Sequence, residues 1–469
     1  MGLSRYSDRG ADILGDREPG APEQPGAWIA PTASGPLAAR LTLPGSKSLT
    51  NRELVLSALA AGPSLLRRPL HSRDTALMAD AVRELGTTVT EQAGDGEFGP
   101  DWLITPGELT GGVSISAGLA GTVMRFVPPV AALALGPVGI DGDEHARARP
   151  MSTTIDALRR LGVDVGDDGR GTLPFTIHGT GVVDGGDLTI DASASSQFVS
   201  GLLLAAPRFT HGLTLRHVGD RLPSMPHIEM TIATLARRGV IVDSPESGVW
   251  GVPPGPIAGA TVTIEPDLSN AAPFLAAALI AGGSVTVGGW PDATTQVGDH
   301  LAALLARYGA TVTRTGGELT VDGGAGLLGG ATIPGVDLDL SEGGELAPTF
   351  AALASFAGTP GRITGIGHLR GHETDRLAAL RTELTALGAS VTELDDGLAF
   401  EPVERTSWHG GTWNSYADHR MATTGALVGL AVGGVEVQDI ATTAKTLPEF
   451  PQLWAAMLRG PDATTWIEV

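Results

Sequence analysis

The chain has 469 residues, 42% hydrophobic and 18% charged, too many for one ordinary compact core, and reads as a soluble globular protein of two domains. With 31 basic against 52 acidic residues the net charge is −21, so the average surface repels nucleic acid and anionic lipid, and 8 Trp, 3 Tyr and 10 Phe supply few stacking platforms for single strands. Cysteine is absent, which excludes disulfides, thiolate nucleophiles and Cys-ligated zinc or iron–sulfur centres and fits a reducing, cytoplasmic setting.

Residues 1–36 carry Arg, Asp, Glu, Gly and Pro without an apolar run, and read as a flexible extension rather than a signal peptide. No membrane span is expected, because Phe126–Ile140 is broken by Pro and Ala271–Ala281 is too short. Beyond residue 36 the chain repeats itself. A helical pattern closing on Gly and followed by a β-branched run occurs in AVRELGTTVT, ALRRLGVDV, TLARRGVIV, LLARYGATVT and ELTALGASV, with a weaker sixth copy in AAMLRG. The glycines are Gly86, Gly162, Gly239, Gly309, Gly388 and Gly460, separated by 76, 77, 70, 79 and 72 residues. Each is expected to be the left-handed residue that ends a helix and turns the chain into a strand. Strand signals such as LTLRHV, SVTVGG, GRITGI and VEVQDI precede the helices. Six strand–helix units of this size divide naturally as three plus three, giving two pseudo-symmetric α/β lobes.

Seven motifs, taken in chain order, carry the chemistry. In LPGSKSLTNR a strand ends at Pro44-Gly45, and Ser46 or Ser48 is placed to cap a helix through Asn51–Ala60. Lys47 then lies at a helix N-terminus that favours an anion, with Arg52 about a turn further on. The spacing is not that of a Walker A loop. In SAGLAGTVMRF, Gly121 permits close approach of backbone to a ligand, Thr122 is near a helix cap and Arg125 follows on the first turn; a plain tight turn fits as well. ARARPMS supplies Arg149. DASASSQF crowds Ser195, Ser196 and Gln197 ahead of an apolar helix, where one Ser would suffice as a cap. In RGHETDRL, Glu373 and Arg376 are spaced i, i+3 on one expected helix face, a setting that suits a positioned proton donor or base. YADHRMATTGALV starts another apolar helix with Asp418, His419 and Arg420, and TTAKTLPEF holds Lys445 in a loop.

A Ser–His–Asp relay fails because Asp418 and His419 are adjacent, and the 11 His show no paired metal spacing. The count of basic residues adds a sharper clue. Only Lys47 and Lys445 are lysine among the 31, so both mark places where a compact ammonium is preferred to a guanidinium. The basic residues of the motifs fall at loop-to-helix junctions of different units, where a cleft between lobes would gather them around planar carboxylate and phosphate groups.

GSKSLTNR, AGTVMR, RARPM, SSQF, HETDR, DHRMA and TAKT, in this order, resemble the 5-enolpyruvylshikimate-3-phosphate synthase family from about residue 37 to the C-terminus. The resemblance implies an enolpyruvyl transferase fold (an inverse α/β barrel) of two lobes, each of three βαβαββ units. It divides the chain into residues 46–264, binding mainly shikimate-3-phosphate, and residues 37–45 plus 265–469, with the active site between them and a hinge near Pro44–Ser46 and Ile264–Asp267. The family transfers the enolpyruvyl group of phosphoenolpyruvate to the 5-hydroxyl of shikimate-3-phosphate, releasing phosphate by addition and elimination, with no metal or organic cofactor. A cytoplasmic monomer with two small-molecule partners is the corresponding expectation.

Carried over by motif, Lys47, Ser48 and Arg52 would bind shikimate-3-phosphate, with Lys47 also facing phosphoenolpyruvate. Ser195, Ser196 and Ser224 (from SMPHIE) would hold its phosphate, and Gln197 would lie against its ring. Gly121, Arg149, Arg376, Arg420 and Lys445 would bind phosphoenolpyruvate. Glu373 matches the carboxylate that handles the C3 proton, and Glu345 of GGELAPTFAAL stands where the family commonly has Asp. The chain departs from the common pattern at Leu119, His368 and His372, where Asn, Asn and Lys are usual; His372, at a substrate-binding position, would be charged only part of the time at neutral pH. Room beside Gly121 implies sensitivity to glyphosate. Two alternatives share parts of this reading. UDP-N-acetylglucosamine enolpyruvyl transferase has the same fold but typically a cysteine near its site, and a catalytically silent paralogue would lack reason to keep both carboxylates and both lysines.

Overall fold

A computed structural model describes residues 27–219 and 221–460. Six small sheets are present, four of four strands and two of three, and every one contains a single parallel pair extended by antiparallel strands. In the sheet built on Val113–Ser116 and Leu135–Asp141, the intervening helix Gly121–Ala131 makes the crossover of the parallel pair, and Asp164–Gly166 with Phe175–Thr180 complete it antiparallel. That is the expected βαβαββ unit.

The apolar core divides into two large clusters and a small third one of Leu49, Met230 and Ile264. One large cluster gathers residues between Leu54 and Ile257, the other residues from Ala30–Leu43 together with Leu268–Met457. In each, three inner helices are buried nearly all round. They are Lys47–Ala58, Gly121–Ala131 and Gln197–Ala205 in the first lobe, and Leu268–Ala281, Ala347–Ser355 and His419–Gly429 in the second. All 14 residues of Leu268–Ala281 are buried. The outer helices have a wet face, and the six repeat glycines follow them, each with positive φ between 81° and 106°. The helix-ending role read from the sequence is therefore what those glycines do.

The lobes exchange one strand each. Leu37–Leu41 pairs with Gly283–Gly288 in the second lobe but leads into helix Lys47–Ala58 of the first. Thr261–Thr263 pairs with Ser64–Arg67 in the first lobe but leads into helix Leu268–Ala281 of the second. The two crossing segments are bonded to each other, Ser46 N to Glu265 O at 2.8 Å and Asp267 N to Pro44 O at 2.9 Å.

The extension expected over residues 1–36 is shorter than composition indicated. Residues 1–26 lie outside the described residues, but Trp28–Ile29 pairs antiparallel with Glu436–Val437 and Ala30 is buried in the second core. A two-residue edge strand leaves too little periodicity to be seen among Gly and Pro.

Inside the first lobe an ion pair fixes inner helix to outer helix. Arg238, fully buried, donates from Nε and Nη2 to Glu53 Oε2 at 2.8 and 2.7 Å, from Nη2 also to Ser57 Oγ, and from Nη1 to Ser64 Oγ and the Ala258 carbonyl. Removing one partner strands a buried charge. Arg238→Ala is expected to lower stability by about 3–5 kcal/mol in urea unfolding, and Glu53→Met combined with Arg238→Leu to recover most of it. A loss below about 1 kcal/mol would show that the pair is not buried as described.

Candidate active site

The inner helices all begin at one place. Ser46–Ser48, Gly121–Thr122, Ser195–Phe198, Asp267–Ser269, Glu345 (in the turn before Ala347) and His419–Arg420 line a single cavity of about 300 Å³ between the lobes. Each helix start carries about half a positive charge from its unpaired N–H groups, so the cavity attracts anions before any side chain is counted.

One carboxylate organises two of these starts. Asp267 Oδ1 accepts from Asn270 N at 3.0 Å, capping its own helix, and Oδ2 accepts from Lys47 N at 3.1 Å, capping the first helix of the other lobe. Ser46 holds the cap position of the helix beginning at Lys47, as the sequence indicated, but makes no side-chain cap bond; the cap comes from Asp267, far along the chain. The Lys47 ammonium lies 3.7 Å from Asp74 Oδ2. Burial pushes it below the ordinary lysine value against the pull of Asp74, with Lys445 and Arg420 adding to the lowering.

On the first lobe's wall, buried donors lack acceptors. Among the described residues, Arg149 Nε and Nη1, Arg125 Nε and the Gln197 Oε1 acceptor have no partner. Burial and the neighbouring Arg149 push Arg125 down. Buried cations left unpaired call for an anion. A Cβ on Gly121 would stand 3.2 Å from Gln197 Oε1 and 3.3 Å from the Arg149 guanidinium, so the glycine keeps this wall open. Of the serine cluster, only Ser195 Oγ accepts from an amide, that of Gln197 at 3.3 Å, and Ser196 makes no cap bond although it stands at the helix start.

On the second lobe's wall, Glu373 is gripped by Lys445 Nζ on Oε1 and by Arg376 Nη2 on Oε2 at 3.2 Å. Burial would raise its pKa, but Lys445, Arg376 and Arg149 hold the carboxyl well below the usual range. The spacing of Glu373 and Arg376 does not reflect a shared helix face: Asp375 is the cap and the helix begins at Arg376, so the pair closes across the helix start. Arg376 is aimed from behind by Asp418, Nε to Oδ2 at 2.7 Å and Nη2 to Oδ1 at 3.1 Å, and Asp418 also caps its own helix through Arg420 N at 2.8 Å. Arg420 is pushed down by burial, against Asp267 and Glu345, and gives Nη1 to the Ser269 carbonyl at 2.9 Å.

Glu345 faces the cavity 3.2 Å from His227 Nε2. Burial opposes its ionisation, yet His227 and Arg420 together hold it below the ordinary carboxylate range. His372 is not the part-time cation expected from sequence. Burial, Arg376, His368 and Arg149 outweigh Glu373 and push it well below the usual imidazole value, so it is neutral at pH 7. His419 is neutral for the same reason, through burial and then Arg420, Lys445 and Lys47.

Of the residues singled out from sequence, Lys47, Ser48, Gly121, Arg149, Ser195, Ser196, Gln197, Ser224, Glu345, His372, Glu373, Arg376 and Arg420 line the cavity. Two stand behind its wall. Lys445 acts on it through Glu373. Arg52 is turned inward, its guanidinium bonded to Thr231 Oγ1 at 2.8 Å, the Ser48 carbonyl at 2.8 Å and the His227 carbonyl at 2.8 Å. Burial pushes Arg52 down to about 9, still charged at neutral pH. His227, Asp74 and the double cap Asp267 are functional neighbours that sequence reasoning missed. The signal for His227 was its place three residues after Ser224 in SMPHIE; Asp74 left none.

A family model described as EPSP synthase (3-phosphoshikimate 1-carboxyvinyltransferase) matches residues 31–454. The chain is 57% identical over 437 residues to a curated 3-phosphoshikimate 1-carboxyvinyltransferase of Kocuria rhizophila, covering 92% of this chain and 96% of that one. Its fold is similar to that of EPSP synthase from Acinetobacter baumannii, at TM-score 0.74 and 23% identity, covering 92% and 97% of the two chains. It is also similar to the enolpyruvyl transferase NikO from Streptomyces tendae, at TM-score 0.69 and 17% identity, covering 91% and 96%.

Holding His419 neutral in the folded protein has a consequence for stability. Below about pH 6.5 an unfolded imidazole takes up a proton that the folded one refuses, so this contribution is lost as pH falls from there toward the depressed folded value. Urea unfolding at pH 7, 6 and 5 is expected to show a shallower acid loss for His419→Gln, by up to about 1.4 kcal/mol per pH unit. Parallel losses in the two proteins would contradict the buried neutral state.

Proposed function

We propose that this chain, which belongs to the EPSP synthase family, carries out the 3-phosphoshikimate 1-carboxyvinyltransferase reaction in the interlobe cavity, as a cytoplasmic monomer acting on two small anions. The observation that carries the reading is the wall of buried, unpartnered Arg149 and Arg125 donors facing the Glu345 and Glu373 carboxylates across one cavity.

The residues divide the work by chemistry. Residues 46–264 supply Lys47, Ser48, Ser195, Ser196, Gln197 and Ser224 for shikimate-3-phosphate, and Arg52 supports this group from behind. Residues 37–45 with 265–469 supply Arg376, Arg420 and Lys445, which join Arg149 on the phosphate and carboxylate of phosphoenolpyruvate. His372 enters as a neutral hydrogen-bonding group in this proposal, not as a cation.

In the addition step Glu373 gives a proton to C3, the 5-hydroxyl oxygen bonds to C2, and Glu345 takes the hydroxyl proton. In the elimination step a C3 proton returns to Glu373, the C2=C3 double bond reforms, the C2–O bond to phosphate breaks, and the proton held by Glu345 leaves with the phosphate. Glu373 must be protonated to begin, although the unliganded cleft holds it ionised. The charges on phosphoenolpyruvate supply the correction. By occupying Lys445, Arg376 and Arg149 they weaken the hold of these cations on Glu373 and raise its proton affinity.

Two measurements check the reading. Phosphate release by the purified protein is expected to require both phosphoenolpyruvate and shikimate-3-phosphate, to be inhibited by glyphosate, and to fall at least about a hundredfold in Lys47→Arg. Release with UDP-N-acetylglucosamine in place of shikimate-3-phosphate, or binding without release, would refute it. Gly121→Ala is expected to raise KM for phosphoenolpyruvate with little change in unfolding midpoint, because its Cβ displaces Arg149 and Gln197, neither of which is fully bonded. An unchanged KM would move the anion site elsewhere.

A further inference from the structure

A base that must take a hydroxyl proton needs a fixed orientation and an open lone pair. Glu345 stands at the start of an inner helix of the second lobe, yet its near partner belongs to the first. His227 Nε2 lies 3.2 Å from Glu345 Oε1, and the two side chains are 20% and 16% exposed, both to the cavity.

We propose that His227 is a positioning residue for Glu345: reaching across the cleft, it commits Oε1, turns Oε2 to the substrate hydroxyl, and so makes the base competent only when the lobes are closed. This rests on the transferase reading of the cavity.

The backbone around His227 is built for a fixed reach. It is the third residue of helix Met225–Arg237, whose start is docked on the other lobe. Ser224, in the left-handed conformation, gives its amide to the Ser341 carbonyl at 3.2 Å, and Arg221 lies 3.6 Å from Asp396. Behind it, the His227 carbonyl receives three donors: Arg52 Nη2 at 2.8 Å, Thr231 Oγ1 at 3.0 Å and Ser200 Oγ at 3.4 Å. Arg52 has no carboxylate partner among the described residues, and its buried charge is given to holding this helix start.

Other charges face Glu345 as well. Arg420 and Arg376 do so from helix starts of its own lobe, and His368 from the turn Gly367–Gly371. These remain when the lobes part, whereas His227 leaves with the first lobe. His227 supports the charged form of Glu345 across 3.2 Å, so removing it makes the Glu345 proton harder to lose.

The experiment compares wild type with His227→Gln and His227→Phe, each checked for an unchanged unfolding midpoint. Phosphate release is followed from pH 5 to 9 with phosphoenolpyruvate and shikimate-3-phosphate, resolving kcat and KM. The glutamine variant is expected to lose about tenfold in kcat with KM for each substrate within about threefold, and its acid limb to move toward higher pH; the phenylalanine variant is expected to lose more. A limb that stays in place, or a rise in KM alone, overturns the proposal, since that is what a residue touching only substrate would give. The Glu345 carboxyl is also titrated by difference infrared spectroscopy, with Glu345→Gln identifying its band and no substrate present. Its midpoint is expected to rise in both variants. Absent turnover in wild type would sink the transferase reading and leave this titration to decide the pair, and an unmoved midpoint overturns the pair whatever the enzyme does.

Discussion

The structure turns on the double cap made by Asp267. Its two oxygens hold the first amides of helices in different lobes, at 3.1 Å to Lys47 and 3.0 Å to Asn270. The two large apolar cores are separate, and at the hinge the crossing segments are held by the Ser46–Glu265 and Asp267–Pro44 bonds together with the Asp267 carboxylate. Capping both helices with one carboxylate ties their starts to a common point. The four remaining inner helices are packed against these two within their lobes, and the meeting of six positive helix ends follows. Substituting Asp267 would leave both backbone amides without this acceptor at once, which is why the arrangement is specific as well as stabilising.

Concentrating positive charge in a protein of net charge −21 requires sorting the cations by partner. Arg376 is locked by Asp418 and raised above its ordinary value by that carboxylate and Glu373, against burial. Arg52 is spent on carbonyls and hydroxyls of its own lobe. Arg149 and Arg125 keep unpaired donors and are the ones free to receive an anion. The cost of leaving them unpaired is offset elsewhere in the fold, and it is recovered when substrate arrives. In the proposed reaction, binding and acid activation are the same event at Glu373: the charge that is attracted by the cations also screens them.

Much of this was legible in the sequence, and for a physical reason. Gly86, Gly162, Gly239, Gly309, Gly388 and Gly460 mark local geometry, a left-handed turn after a helix, which depends on neighbours along the chain. The motif residues that line the cavity stand at helix starts, also a local property. What escaped is tertiary. Lys47 and Asp267 are 220 residues apart, and Arg52 and Thr231 are 179 apart, so nothing in the local pattern joins them. Arg52 was expected to face substrate because its spacing from Lys47 puts it a turn away; the turn carries it inward. His372 was expected to share a proton at neutral pH because its burial among arginines was invisible. Trp28–Ile29 was hidden by brevity.

The two lysines show how local chemistry and tertiary setting combine. At position 445 the ammonium is 1% exposed and meets Oε1 of Glu373, while the Arg376 guanidinium takes Oε2 from the other side. A second planar fork there would compete for the same carboxylate plane and bring five donors where burial can satisfy few. At position 47 the ammonium is set beside Asp74, whose carboxylate is fully buried, at the mouth of a helix. A point charge on a flexible stem can turn from that carboxylate to an incoming phosphate, and a guanidinium held by two oxygens would not release as readily. A composition that elsewhere replaces lysine by arginine thus retains it at the two places where a compact, redirectable charge meets a carboxylate in the cleft.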